Sequence, residues 1–198
     1  EEGGDCRFIQ CDVTRPEQIE ALIEETVRQL GRLDCLINNA GWHPSHHPID
    51  DFSVEDFKSV LQLNLVSYFA ACKYALPHLR KTHGSIINMS SLVGTMGQEW
   101  ATTYVSTKGG ITALSKALAV DEARNGVRVN AVLPGVIETP LLLSFIDSKP
   151  NPQAVQEALD SWQWTGRYGT MEEVGEACLF LASDGASFIT GVELIISG

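Results

Sequence analysis

Tyr104 and Lys108 stand four residues apart in a stretch, 101–120, whose small and apolar residues favour a helix. On a helix that spacing puts both side chains on one face, a turn apart. A unit charge ~4 Å from a phenol is worth ~4 kcal/mol at an effective dielectric of ~20. Such a neighbour would bring the phenol pKa from ~10 toward ~7, where Tyr104 exchanges protons near neutral pH. Taken alone, a Tyr-x-x-x-Lys pair is more simply a solvated Tyr beside a Lys. Other residues join it. Ser91 lies thirteen positions before Tyr104, at the end of the apolar run 85–90, and Asn39, Ala40 and Gly41 follow the apolar segment 35–38. Asn64 falls inside an apolar helical stripe, where an unpartnered amide costs several kcal/mol, so its position implies a polar role.

The elements that would carry these residues alternate between strand and helix. Residues 7–11 read as a short strand, and Thr14 to Glu17 as a capping box that opens a helix with Pro16 in its first turn and Gly31 at its end. Residues 33–38 form a buried strand that delivers Asn38 to Gly41 to its carboxyl end, where doubly wound sheets bind ligands. A plain Asn-Gly type turn is the alternative, but no second strand follows closely enough for a hairpin. Ser53 to Asp56 caps a long helix running to about Leu79, with Phe57, Val60, Leu61, Leu65 and Phe69 as its stripe. Residues 85–90, 127–133 and 192–196 are further strands, and Thr170 to Glu173 caps a last helix through Leu181. Residues 141–167, with Pro150, Pro152, Trp162 and Trp164, are the least patterned and read as a mobile lid over the substrate. His43, His46 and His47 suggest a metal, yet no Cys or carboxylate stands at ligand spacing, and Pro44 and Pro48 keep the segment extended. No metal site is expected. His43 either points into the substrate cavity or is an exposed loop residue.

The length of 198 residues, with 44% hydrophobic and 20% charged, suits one domain with a sizeable core. Fourteen Lys and Arg against 25 Asp and Glu give a net charge of −11, which argues against a nucleic-acid or anionic-membrane surface. Five Cys form no C-x-x-C pair, which fits reduced thiols in a cytosolic protein. The start, Glu1 to Asp5, is no signal peptide, and no apolar run approaches the ~20 residues of a membrane span. A cytoplasmic location is the expectation.

Asn38 to Gly41, the Asn64 of an L-x-L-N-L run, the Ser90-Ser91 pair, Tyr104 with Lys108, and the Pro134, Gly135, Ile137 and Thr139 of a P-G-x-I-x-T run occur in the order and spacing of the short-chain dehydrogenase/reductase family. The chain resembles that family over essentially its whole length, and its wording is most similar to the 17-beta-hydroxysteroid dehydrogenase branch. The resemblance implies an α/β, doubly wound parallel sheet of Rossmann type, with family strand order 3-2-1-4-5-6-7. It implies interconversion of a secondary alcohol and a ketone, the substrate being a 17-beta-hydroxysteroid or a small sugar or alcohol. NAD is the implied cofactor, with NADP not excluded. Tyr104 would be the general acid/base, Ser91 would hold the substrate oxygen, Lys108 would lower the Tyr104 pKa and hold the nicotinamide ribose, and Asn64 would complete a proton path. Asp12 would meet the adenine, although an acidic turn residue beside a helix cap reads equally well. Asn39, Ala40 and Gly41 would line the cofactor ribose, Pro134, Gly135, Ile137 and Thr139 the nicotinamide, and His43 and Gln98 the substrate. A homo-oligomer, a tetramer by family analogy, is expected through the Phe57 and Tyr104 helices.

No glycine-rich turn of the dinucleotide-binding kind precedes Arg7. A domain over residues 1–198 that lacks its first β-α-β segment is therefore expected, with strands 7–11 and 35–38 matching family strands 3 and 4. A bare parallel edge would then make the chain poorly soluble by itself. The alternative to the enzyme is a truncated, non-catalytic member that acts only through subunit association.

Overall fold

The computed structural model describes residues 4–198; the start of the segment read as no signal peptide, residues 1–3, lies outside the described residues. Helix α1 (Pro16–Leu30) packs ahead of strand β1 (Cys35–Asn38). Then come α2 (Val54–Leu61), a π-helical segment (Gln62–Val66) and α3 (Ser67–Thr82) in one continuous helical run. Strand β2 (Ser85–Met89), the single turn α4 (Val93–Met96), α5 (Thr102–Glu122) and β3 (Arg128–Pro134) follow. The chain continues through α6 (Pro140–Asp147), α7 (Pro152–Ser161), α8 (Met171–Ala182) and β4 (Glu193–Ile196).

The four strands form a parallel sheet in the order β1-β2-β3-β4. Ile37 pairs with Ile87, Asn88 with Ala131 and Val132 with Leu194, so the carboxyl ends line up on one side. Side chains alternate across a pleated strand, and the core divides accordingly. Ile86 and Val129 meet Ile23, Leu76, Leu79 and Ala119 from α1, α3 and α5 on one face. Ile87 and Val132 meet Cys178 and Leu181 from α8 on the other. This is the Rossmann-like, doubly wound arrangement.

Three expectations need correction. Residues 7–11 form no strand; Phe8 is 90% exposed and β1 is the edge of the sheet. A strand exists through its ladder, and among the described residues nothing pairs with this segment. The capping box at Thr14 to Glu17 does not form either. Thr14 turns back to Asp12 Oδ1 with both its backbone N–H (3.0 Å) and its hydroxyl (2.7 Å), so the N-cap moves one residue on to Arg15 and α1 starts at Pro16. The stretch read as the least patterned, 141–167, carries helices α6 and α7. Thr139 and Asn151 accept the N–H groups of Leu142 and Ala154, and Pro140 and Pro152 occupy the first helical positions of each. By contrast the boxes at Ser53 with Asp56 and Thr170 with Glu173 form as expected, and Gly31 closes α1 at φ 82°.

Candidate active site

Because β2 and β3 are neighbours in register, the loops leaving their carboxyl ends meet: Leu92 N–H donates to the Pro134 carbonyl at 3.0 Å. The Ser91 and Pro134 loops thus form one wall. The opposite wall is the first half of α5, which approaches closely because two glycines face each other. A Cβ on Gly94 would stand 2.9 Å from the Lys108 carbonyl carbon, and one on Gly109 would stand 3.2 Å from the Gly94 oxygen. This contact presents Tyr104 and Lys108 to the strand ends.

Lys108 is 4% exposed, and its ammonium donates to the Met89 carbonyl at 2.8 Å. It lies 5.5 Å from the Tyr104 ring centre and 5.9 Å from that of Tyr68. Burial pushes its pKa down to about 8. Burial also raises the Tyr104 phenol above its ordinary value, while the Ser91 hydroxyl acts in the opposite direction and loses. The sequence-based expectation that Lys108 would bring the phenol down is therefore not met in this state. The ammonium donates to the Met89 carbonyl, and desolvation of the phenolate outweighs the Ser91 hydrogen bond.

His43 stacks on Tyr104 with ring centres 4.1 Å apart. Its Nδ1 lies 2.6 Å from the Pro44 carbonyl and its Nε2 3.1 Å from Gln98 Oε1. The two residues assigned to substrate from sequence thus touch each other beside the phenol. Asn64 is fully buried and fully engaged. Its Oδ1 accepts the Trp42 N–H at 2.9 Å, and its Nδ2 donates to the Trp42 carbonyl at 2.9 Å and to Thr107 Oγ1 at 3.1 Å. Asn64 sits in the π-helical segment, where the extra residue turns its amide toward the loop after β1.

Two contributors escaped the sequence reading, and a third, Ser90, entered it only as half of the Ser90-Ser91 pair. Thr107 joins Asn64 to the Tyr104 carbonyl, to which its hydroxyl donates at 2.7 Å. Tyr68, 1% exposed, donates its hydroxyl at 3.2 Å to the same Met89 carbonyl that holds Lys108. Ser90 donates to the Lys108 carbonyl at 2.8 Å. Their shared signal was a hydroxyl inside an otherwise apolar or small-residue stretch.

The residues assigned to a cofactor divide into two groups. A Cβ on Gly41 would lie 3.6 Å from the Lys108 ammonium and 3.5 Å from Asn64 Oδ1, so the turn carrying Asn39 and Ala40 passes directly by the site. Pro134 and Gly135 border it on the other side; Gly135 N–H donates to the Ile196 carbonyl at 2.8 Å. Ile137 bridges to Gly169, and Thr139 Oγ1 accepts the Leu142 N–H that caps α6, which leaves its hydroxyl proton to donate elsewhere. Asp12 stands apart, in contact with Thr14, and lines a groove of about 430 Å³ with Gln10, Cys11 and Gln18. The nicotinamide-ribose end of a dinucleotide fits the strand-end group. The buried Lys108 ammonium has one hydrogen-bond partner among the described residues, so two of its three N–H bonds are left for ribose hydroxyls at the strand ends.

The described residues contain no group of three or more His, Cys, Asp or Glu placed to hold a metal ion, and no helix among them is long and apolar enough to cross a membrane. The whole chain, residues 1–198, matches a family model described as enoyl-(acyl carrier protein) reductase. It is 49% identical to an L-fucose dehydrogenase of Oryctolagus cuniculus, over 96% of this chain and 67% of that one, and 49% identical to one of Bos taurus, over 96% and 70%. Among solved structures it superposes on an aldohexose dehydrogenase of Thermoplasma acidophilum (TM-score 0.90, 33% identity, 98% of this chain and 78% of that one). It also superposes on ElxO with NADP bound (0.89, 36%, 96% and 76%) and on an NAD+-bound xylitol dehydrogenase (0.89, 31%, 95% and 76%).

Proposed function

Because this chain belongs to the short-chain dehydrogenase/reductase family, we propose that it interconverts a secondary alcohol and a ketone, or a sugar and its oxidised form, with Tyr104 passing the proton. The observation that carries this reading is the partly buried Tyr104 phenol, attended by the Ser91 hydroxyl and the Lys108 ammonium and covered by the His43 ring. A bound NAD or NADP supplies or accepts the hydride. The protein's own part is positioning and proton management. The Ser91 hydroxyl orients the substrate oxygen toward the phenol. A phenol kept protonated by burial suits protonation of a carbonyl oxygen. Alcohol oxidation needs the proton removed, and the neutral amine that Lys108 becomes as pH rises through about 8 can accept it. Asn64 and Thr107 hold the Trp42 turn and the Tyr104 backbone in mutual register.

A sugar or small polyol is the substrate class we favour. The relatives are named for L-fucose, and two solved neighbours for an aldohexose and xylitol. None of them is named for a steroid, so the 17-beta-hydroxysteroid expectation gains no support. His43 and Gln98 offer polar atoms beside the phenol that match a second hydroxyl. The test is nucleotide reduction at 340 nm with NAD and with NADP, across L-fucose, xylitol, cyclopentanol and a 17-beta-hydroxysteroid. Sugar oxidation should exceed steroid oxidation, and Tyr104→Phe should lose roughly 10²- to 10⁴-fold in turnover with NADH affinity kept. Unchanged turnover in that variant would remove Tyr104 from its role.

A further inference from the structure

Among the described residues two non-glycine positions have left-handed backbone, His83 at φ 52° and Trp100 at φ 57°. His83 is the C-cap of α3, a place where that conformation ends a helix. Trp100 has no such role. It stands one residue before Ala101, the N-cap of α5, whose methyl makes no capping hydrogen bond, and its indole is 55% exposed, so neither a helix end nor burial of the ring accounts for the strain. A bulky residue in this region is an outlier that persists only where its surroundings over-determine it.

What the left-handed backbone accomplishes is visible in its hydrogen bonds. The Trp100 carbonyl accepts the His47 N–H at 2.9 Å, tying the 42–48 loop to the start of the catalytic helix. Two residues earlier, Gln98 Oε1 meets His43 Nε2 at 3.1 Å from the same turn. The loop is thus held at two points four residues apart, His43 and His47, by two points of one tight turn. Between them the His43 ring lies on Tyr104 at 4.1 Å, and His46 faces Phe145 of α6 at 6.3 Å.

We infer that Trp100 is a positioning residue: its left-handed backbone locks the 42–48 loop onto the head of α5 and thereby sets His43 over the Tyr104 phenol. The inference deepens the proposed dehydrogenase reading, and its kinetic arm rests on that reading; its structural arm does not.

The test compares Trp100→Asn with Trp100→Val. Both remove the indole, but Asn accepts left-handed backbone and a β-branched residue resists it. Trp100→Ala, which resists it through a lone Cβ, runs alongside so that a Val chain that does not fold leaves the comparison intact. The first readout is the His43 ring-proton shift by NMR, displaced by the Tyr104 ring current. We expect that displacement in the Asn chain and its collapse toward the free-imidazole value in the Val and Ala chains. The second readout is kinetic, with L-fucose: KM in the Val or Ala chain at least tenfold above that in the Asn chain, kcat within threefold, and the NADH Kd shared. The same His43 shift in the Asn chain and its Cβ-branched or Ala counterpart would overturn the inference. Absence of turnover with an intact shift difference would count against the dehydrogenase reading alone.

Discussion

At Lys108 an ammonium sits where water barely reaches, and this has a cost that pH can remove. Its pKa is about 8 in the folded protein against 10.5 ordinarily, because of burial. The unfolded chain therefore binds the proton more tightly between those two values, and stability rises with pH across that window. The gain is complete above 10.5 and lost as pH falls through about 8. At about 1.4 kcal/mol per pH unit it amounts to roughly 3 kcal/mol. Urea unfolding of the wild type and of Lys108→Met at pH 7.5 and 10.5 should show the difference between the two chains changing by this order. A constant difference would mean the ammonium is hydrated. The shared face of Tyr104 and Lys108 was legible from their spacing alone. The direction of the Tyr104 shift was not, since it depends on how much water the surrounding elements exclude.

The elements owe their placement to small residues that a sequence pattern reports only as tolerance. The small residues of α5 allow close packing, and part of that packing lies within the chain. Gly94 approaches the Lys108 backbone at distances no Cβ allows, whereas a Cβ on Gly110 would meet the Leu65 Cδ2 at 2.7 Å, the movable end of a side chain. Gly94→Ala should therefore destabilise by about 1–3 kcal/mol, the range for overpacking, and lower turnover with it. Gly110→Ala should cost less than half as much. Thermal melts decide it, and equal losses would show that the α4 turn yields as easily as a leucine rotamer. Helices α6 and α7 were legible in principle, since Thr139-Pro140 and Asn151-Pro152 are N-cap signatures. They were overlooked because the weak apolar period behind them resembles a loop.

For the whole molecule, we propose association of identical chains through α2, α3 and α5. Phe69 on α3 (55% exposed) and Val120 on α5 (79%) are apolar side chains left open, and a groove of about 350 Å³ lined by Phe69, Cys72, Lys73, Leu76, Arg80 and Leu118 runs between α3 and α5. Light scattering should give a mass that is a multiple of 21.6 kDa, fourfold for the tetramer. Phe69→Lys with Val120→Glu should shift it toward one chain. A wild-type mass of one chain would rule out the assembly. Arg80 is paired with Glu122, whose carboxyl it holds below the usual range, so that part of the groove rim is internally neutralised.

What the sequence determined by itself was chemistry and alternation. Residue types at set spacings named Ser91, Tyr104, Lys108 and Asn64, and runs of apolar residues between helical stripes placed four of the five expected strands. Only the tertiary structure decided that residues 7–11 have no ladder, that His43 and Gln98 meet over the phenol, and that Trp100 holds a left-handed turn. The physical reason is the range of the interactions. Helix faces and caps are set within four residues, whereas strand pairing, desolvation and backbone strain are settled by neighbours tens of residues away.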